Sequence, residues 1–185
     1  RIADNQARFL ASAIAEVLPV TASTVAVDMT ADGTLVATGE TLSLPVFLAY
    51  DERGELAGAV LTGQGMGYQD NIRILFSYSF DRDAIVGMKV LDSKETPGLG
   101  DRVEIEPHFL ANFEALDARL NAAGDGLANP IVTVKQGEKT EPWQIDGITG
   151  ATITSEAIGD ILNESAMEWL PALERDGPSI GQGEP

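Results

Sequence analysis

The chain has 185 residues, of which 29 are acidic and 12 are basic, and its formal net charge at pH 7 is −17. This charge excludes nucleic acid as a partner, because binding to nucleic acid needs clustered Lys and Arg to release counterions. The sequence has no cysteine and a single histidine, His108. Disulfides, thiolate nucleophiles, iron–sulfur clusters and multi-His metal sites are therefore excluded, and His108 is expected at the surface or at a helix end.

Length and composition favour one domain over residues 1–175, followed by a flexible tail over residues 176–185. The tail is rich in Gly, Pro, Ser and Glu and poor in apolar residues. No apolar run reaches the roughly 18 residues that a membrane-spanning helix needs. Arg1 is not a natural initiator, so we expect a processed or truncated piece of a longer chain.

Apolar spacing predicts the first elements. Leu10, Ala13, Ile14, Val17 and Leu18 share one helical stripe, so we expect a helix over residues 2–18 that ends at Pro19.

Residues 21–44 carry only a weak pattern. Strands over residues 45–50 and 55–62 then flank a four-residue turn at 51–54.

The second half of the chain continues with strands and helices. Alternating apolar residues predict a half-buried strand over residues 72–80, which returns as a strand over 84–91. We expect a helix over 109–120, a strand over 130–134 and a last helix over 157–170. These elements predict an α+β domain, an antiparallel sheet covered by helices on one face, and a Rossmann fingerprint is absent.

The stretch over residues 146–155 is polar, contains two glycines and runs directly into the last helix. Thr154 or Ser155 is the natural N-cap of that helix, because either hydroxyl can accept a bond from a first-turn amide. The hydroxyls of Thr149 and Thr152 lie just before it. The residues alone leave two interpretations open: a capped loop, or a phosphate site at a helix N-terminus.

The segment Asp146-Gly147-Ile148-Thr149-Gly150-Ala151-Thr152 resembles the flavinylation motif of the FMN-binding subunits RnfG and NqrC, which belong to the Rnf and Na⁺-translocating NADH:quinone reductase complexes. A second segment, Lys94 to Asp101, resembles the Glu-Thr-Pro-Gly-Leu-Gly signature of the same subunits. A third, weaker segment is Gly67 to Ile72, which carries Asp70 where the family has Gly, so a flavin contact is not assigned to it. Asp101 and the residues 153–155 look closer to RnfG than to NqrC.

The resemblance implies a site for each motif. In the family, a flavin transferase joins FMN through its phosphate to the last Thr of the motif, which is Thr152 here. The resemblance further implies cofactor contacts from the Glu-Thr-Pro-Gly-Leu-Gly loop on the isoalloxazine side and from the neighbours of the acceptor, namely Glu95, Thr96, Leu99, Gly100, Thr149, Gly150, Ala151 and Thr154.

The resemblance also implies a function, an electron-transfer subunit of a membrane ion-translocating oxidoreductase complex, with the other subunits and a flavin transferase as partners. It implies a place on the extracytoplasmic (periplasmic) face of the inner membrane, with an N-terminal transmembrane anchor upstream of Arg1. No turnover is expected from this chain alone. Two alternatives stay open: an FMN-bearing domain of a regulatory or sensory membrane protein, and a non-redox scaffold whose Thr152 is unmodified.

Overall fold

The structure, a computed structural model, describes residues 1–181. Its strands are β1 Ser23–Met29, β2 Leu35–Ala37, β3 Val46–Tyr50, β4 Leu56–Met66, β5 Asn71–Ser79, β6 Ala84–Asp92, β7 Leu116–Asp117, β8 Val132–Val134 and β9 Gln144–Asp146. Its α-helices are α1 Ile2–Val17, α2 Pro107–Leu110 and α3 Thr152–Ile180, and 3₁₀ turns cover Gly100–Glu104 and Ala111–Glu114.

Seven strands form one sheet in the order β2-β1-β3-β4-β5-β6-β7, and every neighbouring pair is antiparallel. The antiparallel pairing predicted from the short returns is confirmed. The two edge strands are short, with three residues in β2 and two in β7. A second, two-stranded sheet pairs β8 with β9 in parallel, next to the start of α3.

Helices cover both faces of the large sheet, so the prediction of helices on one face only is wrong. In β5, Ile74 and Phe76 belong to the core cluster under α3, while Leu75 belongs to the smaller cluster under α1. All three side chains are fully buried. The predicted half-buried strand is therefore buried on both sides, which alternation with residues such as Leu75 and Ser77 does not reveal.

Helix α1 matches the predicted first helix and buries Ala13, Ile14 and Val17 against β5 and β6. The helix end approaches the sheet closely. The hydroxyl of Ser77 donates to the carbonyl oxygen of Val17 at 2.6 Å, and a Cβ atom at Gly87 would overlap the same oxygen. Glycine at position 87 is therefore a requirement of helix docking.

Helix α3 is longer than predicted at both ends. It lies across β4, where a Cβ atom at Gly63 would stand 2.6 Å from the side chain of Ile161. It also continues through Pro171, where the sequence pattern predicts an end, because Leu170 and Leu173 are fully buried on either side.

The flexible tail predicted from residue 176 is wrong for its first part, which belongs to α3. Asp176 accepts a hydrogen bond from the backbone amide of Leu35 at 3.0 Å, and Arg175 donates to the carbonyl of Gly33 at 2.6 Å. These contacts fasten the end of the helix to the β1–β2 hairpin. Residues 182–185 of the predicted tail lie outside the described residues.

The predicted helix over residues 109–120 is also wrong. The segment instead forms α2, a 3₁₀ turn and β7, which pairs with β6 through Leu116 and Ile85. Its apolar residues Phe109, Phe113 and Leu116 are buried. The side chain of Asn112 forms hydrogen bonds with the carbonyl of Phe109 and with the backbone of Asp146, and helical spacing does not reveal these contacts.

Over residues 1–181, no helix is long and apolar enough to cross a bilayer. The same residues contain no cluster of three or more His, Asp or Glu side chains arranged to hold a metal ion.

Candidate functional site

Three segments that are far apart in the sequence meet beside the start of α3. They are the loop after β4 at Tyr68, the loop after β6 at 95–100 and the motif residues 150–154. Together they enclose a cavity of 360 Å³, which is in the size range of small-molecule sites. The cavity is lined by Tyr68, Glu95, Thr96, Leu99, Gly100, Gly150, Ala151, Thr152, Ile153 and Thr154.

Glu95 joins the three segments. One carboxylate oxygen accepts hydrogen bonds from the amide of Tyr68 at 3.1 Å and from the hydroxyl of Thr154 at 2.7 Å. The other oxygen accepts from the amide of Gln69 at 3.1 Å. The residue is 6% exposed. Glu95 thus acts inside the wall of the cavity as the acceptor that ties both loops to α3.

Two glycines leave room for this carboxylate. A Cβ atom at Gly67 would lie 2.6 Å from Oε1 of Glu95, and a Cβ atom at Gly100 would lie 2.7 Å from Oε2 and 2.9 Å from Oγ1 of Thr154. Both separations are too short for any other residue type without displacement of the carboxylate. The third motif, to which the sequence assigned no flavin contact, therefore contributes Tyr68 to the cavity lining and Gly67 to the space around Glu95.

The pKa of Glu95 is lowered. Burial alone would raise it, but the hydrogen bonds from the hydroxyl of Thr154 and from the amides of Gln69 and Tyr68 outweigh burial. Because these donors stabilise the charged form, the site holds a buried carboxylate at neutral pH.

The Glu-Thr-Pro-Gly-Leu-Gly loop makes a tight turn over the cavity. The amide of Leu99 donates to the carbonyl of Thr96 at 3.1 Å, and Gly98 has a φ of +77°. Pro97 and Gly98 are the residues that a type II turn favours at its two central positions. The turn leaves Leu99 51% exposed at the cavity, where an apolar surface is available to a flat ligand.

Helix α3 begins at Thr152, so the predicted N-cap at Thr154 or Ser155 is wrong. Both residues lie in the first turn and are buried. The hydroxyl of Ser155 donates to the carbonyl of Ala151 at 2.8 Å and accepts from the amide of Ile148 at 3.1 Å. Thr154 donates to Glu95. The hydroxyls of the motif therefore point to different places, and these two serve the internal structure.

Thr152 differs from them. Its side chain is exposed, and its hydroxyl makes no hydrogen bond within residues 1–181. The amides of Thr152, Ile153 and Thr154 likewise have no acceptor in the described part of the chain. A free hydroxyl beside three free amides at the positive end of a 29-residue helix suits a phosphate ester.

Thr152 also borders a second, more polar cavity of 580 Å³. Thr149 lies at this second cavity, apart from the residues of the Glu-Thr-Pro-Gly-Leu-Gly loop. Lys135 lines it as well and is exposed.

The backbone of the motif is held by side chains that the sequence did not single out. Asn112 is 5% exposed; it accepts from the amide of Asp146 at 2.9 Å and donates to its carbonyl at 3.0 Å. The carbonyl of Thr149 accepts from Arg102 Nη1 at 2.9 Å, and its amide donates to Gln136 at 2.8 Å.

His108 completes this set. Its Nε2 atom lies 3.3 Å from the carbonyl oxygen of Gly147, and its Nδ1 atom lies 3.6 Å from Glu106. No local sequence pattern reveals these partners, because they contact the motif only after the chain has folded.

The model of the family described as FMN-binding domain matches residues 67–166, a range that contains all three motifs. A relative from Methanosarcina acetivorans, named as the G subunit of an ion-translocating oxidoreductase complex, is 34% identical over 133 residues, which cover 70% of this chain and 62% of the relative. The chain thus spans about three fifths of that relative's length.

Two solved structures share the fold. NqrC from Shewanella oneidensis has a TM-score of 0.58 and 25% identity, over 71% of this chain and 59% of that one. The C subunit of the Na⁺-translocating NADH-quinone reductase from Parabacteroides distasonis has a TM-score of 0.71 and 21% identity, over 92% and 94%. The antiparallel α+β architecture is confirmed. Family model, relatives and fold agree with the three motifs, and the chain belongs to the family of FMN-binding domains.

Proposed function

We propose that this chain carries FMN on Thr152 through a phosphoester and serves as an electron-carrying subunit of an ion-translocating oxidoreductase complex. The observation that carries the proposal is the free hydroxyl of Thr152 at the edge of a cavity built from three family motifs. The relatives, a G subunit of an ion-translocating oxidoreductase complex and NqrC, support the assignment to such a complex.

The residues around Thr152 fit the group chemically. The free first-turn amides and the helix dipole favour a phosphate, and Tyr68, Leu99 and Ile153 offer exposed apolar surface to a flat ring. Bound flavin supplies the redox chemistry, and the protein supplies its position and electrostatic surroundings. Glu95 holds the two loops against the start of α3, and this role does not require contact with the cofactor.

Attachment needs an activated donor, a diphosphate ester of FMN such as flavin adenine dinucleotide, and a transferase. The bond between Oγ of Thr152 and phosphorus forms, the phosphorus–oxygen bond to the leaving nucleotide breaks, and the hydroxyl proton goes to solvent. The chain gains the mass of FMN less water. Thr152 is then an attachment residue, and no redox step runs through its side chain.

We further propose the place that the resemblance implies, the extracytoplasmic face of the membrane with an anchor upstream of Arg1. The other subunits of the complex would supply and accept the electrons. The transferase would act on the folded domain, since Thr152 is exposed at the start of α3.

The test is the intact mass of the chain after incubation with a flavin transferase and flavin adenine dinucleotide. We expect one FMN less water on the wild type and none on Thr152→Ala. Thr24→Ala is the matched control, because Thr24 is also an exposed threonine but lies in β1, outside the motifs, so its variant should be modified like the wild type.

An unmodified wild type with an active transferase would overturn the covalent assignment and favour the scaffold alternative. Modification that persists in Thr152→Ala would place the ester on another hydroxyl.

A further inference from the structure

We propose that Arg102 and Asn112 are positioning residues that hold the motif backbone over residues 146–151, so that the hydroxyl of Thr152 is presented to the transferase. This inference rests on the proposed attachment at Thr152. It concerns residues outside the motifs, and both lie on one short stretch of chain between the Glu-Thr-Pro-Gly-Leu-Gly loop and β7.

The motif backbone forms few hydrogen bonds with other backbone groups. Gly147 donates to the carbonyl of Val134 at 2.9 Å, and Ala151 donates to that of Ile148 at 3.0 Å. Gly150 has a φ of +86° and is exposed. A glycine-containing segment of this kind samples many conformations unless other groups hold it, because each unrestrained residue retains backbone entropy.

Asn112 fixes the start of the segment. Its side-chain amide pairs with both the amide and the carbonyl of Asp146, as a neighbouring strand would. The Asn112 side chain is itself fixed, since it also donates to the carbonyl of Phe109 at 2.8 Å and accepts from Lys139 Nζ at 3.3 Å. Both protons and both lone pairs of the side-chain amide are used in holding this geometry.

Arg102 fixes the middle of the segment. Its Nη1 atom donates to the carbonyl of Thr149, and its Nε atom donates to Glu106 Oε2 at 3.2 Å. Glu106 therefore orients the guanidinium toward the motif. The Arg102 and Glu106 side chains are each 30% exposed, so the Arg102 contact can be removed without opening the core.

Position matters because Thr152 follows this segment directly and its own side chain makes no hydrogen bond within residues 1–181. The orientation of its hydroxyl is set by the backbone before it and by α3 after it. Since a misplacement of about 1 Å can cost about a hundredfold in rate, a loosened segment should slow transfer to Thr152.

Positioning and docking predict different kinetics. A residue that positions the acceptor should change kcat of flavin transfer, with this chain as the varied substrate. A residue that only contacts the transferase should change KM. The measurement is therefore the rate of FMN incorporation by intact mass, at several concentrations of the chain, with flavin adenine dinucleotide in excess.

The variants are Arg102→Met, Arg102→Lys and Asn112→Ala, with Arg53→Met as the matched control. Arg53 also forms an ion pair, with Glu55 at 3.7 Å, but its side chain is 80% exposed and it lies in the β3–β4 turn. Thermal unfolding of each variant is also measured. The transfer rate of Asn112→Ala is interpreted only if its unfolding midpoint stays well above the assay temperature.

We expect kcat to fall at least about tenfold in Arg102→Met, with KM nearly unchanged. Arg102→Lys should recover part of this loss, since a lysine can donate to the carbonyl of Thr149 but lacks the rigid guanidinium that Glu106 orients in the wild type. Arg53→Met should match the wild type, and given time all variants should reach one FMN per chain.

A change confined to KM in Arg102→Met, or a rate equal to the wild type, would overturn the inference. A wild type that accepts no FMN at all would instead overturn the proposed function, so the two failures are distinguishable.

Discussion

Glu95 is ionised although its side chain is buried. Burial alone would raise its pKa, but the hydroxyl of Thr154 and three backbone amides lower it. The ionised form therefore stabilises the folded state above the ordinary carboxyl pKa, and this contribution is lost as the pH falls through the lowered value.

This linkage predicts the behaviour of Glu95→Gln. At neutral pH the variant should lose about 1–3 kcal/mol of unfolding free energy, because a neutral amide brings an N–H group toward donors. The deficit should shrink as the pH falls below about 4, where the wild type loses its own contribution. Chemical denaturation at a series of pH values measures it. Glu55→Gln is the control, because the side chain of Glu55 is 69% exposed. Its unfolding free energy should depend on pH in the same way as that of the wild type. A deficit independent of pH would contradict the linkage.

Gly98 and Gly100 lie in one loop but are required for different reasons. Gly98 has a positive φ and open space around it, whereas Gly100 lies against Glu95 and Thr154. Gly98→Asn should cost little, since Asn tolerates that backbone region. Gly100→Ala should cost about 1–3 kcal/mol through overpacking. Thermal unfolding of both variants checks this prediction. A loss of stability in Gly100→Ala as small as that in Gly98→Asn would contradict the overpacking at Gly100.

At the scale of elements, the docking of α1 depends on one glycine of β6. Gly87→Ala would place a methyl group against the carbonyl of Val17, so we expect α1 to move off the sheet and the unfolding free energy to fall by about 1–3 kcal/mol. Faster amide hydrogen exchange in α1 would report this displacement. Gly39→Ala is the matched control, because no atom lies within 4 Å of the added Cβ. Unchanged exchange in α1 would contradict the prediction.

The elements differ in how well the sequence predicts them. Helix α1 and strands β3 to β6 carry a regular apolar pattern, and they form where the pattern indicates. The segment around Asn112 also has helical spacing, yet its polar contacts with Asp146 select a different backbone. Residues 176–180 look disordered by composition, but Asp176 and Arg175 bind the β1–β2 hairpin. Contacts between residues more than 30 positions apart decide both cases, and local pattern does not contain them.

The sequence likewise predicts only part of the candidate site. The 360 Å³ cavity is lined by every residue for which the resemblance implies a cofactor contact except Thr149, and in addition by Tyr68 and Ile153. The role of Glu95 as an internal acceptor was not predictable, since it depends on the approach of Gly67 and Gly100. Sequence could not find Arg102, because its partner is a backbone carbonyl of another segment.

For the whole molecule, the net charge of −17 bears on the proposed cofactor. A negative field opposes the addition of electrons, and salt screens this field over about 10 Å at 0.1 M. We expect the midpoint potential of the attached flavin to rise with ionic strength, relative to free FMN in the same buffers. Each 1 kcal/mol of screened interaction corresponds to roughly 20 mV for a two-electron couple. Potentiometry at low and high salt measures the shift, and a fall in potential would contradict it.

The large sheet ends in β2 and β7, which have three and two residues. An unpaired sheet edge is a template on which another chain can add a strand, and long, flat edges lead to aggregation. Here each edge offers only a few backbone groups, and the acidic surface adds mutual repulsion between copies. The domain is thereby protected from self-association through its β-structure.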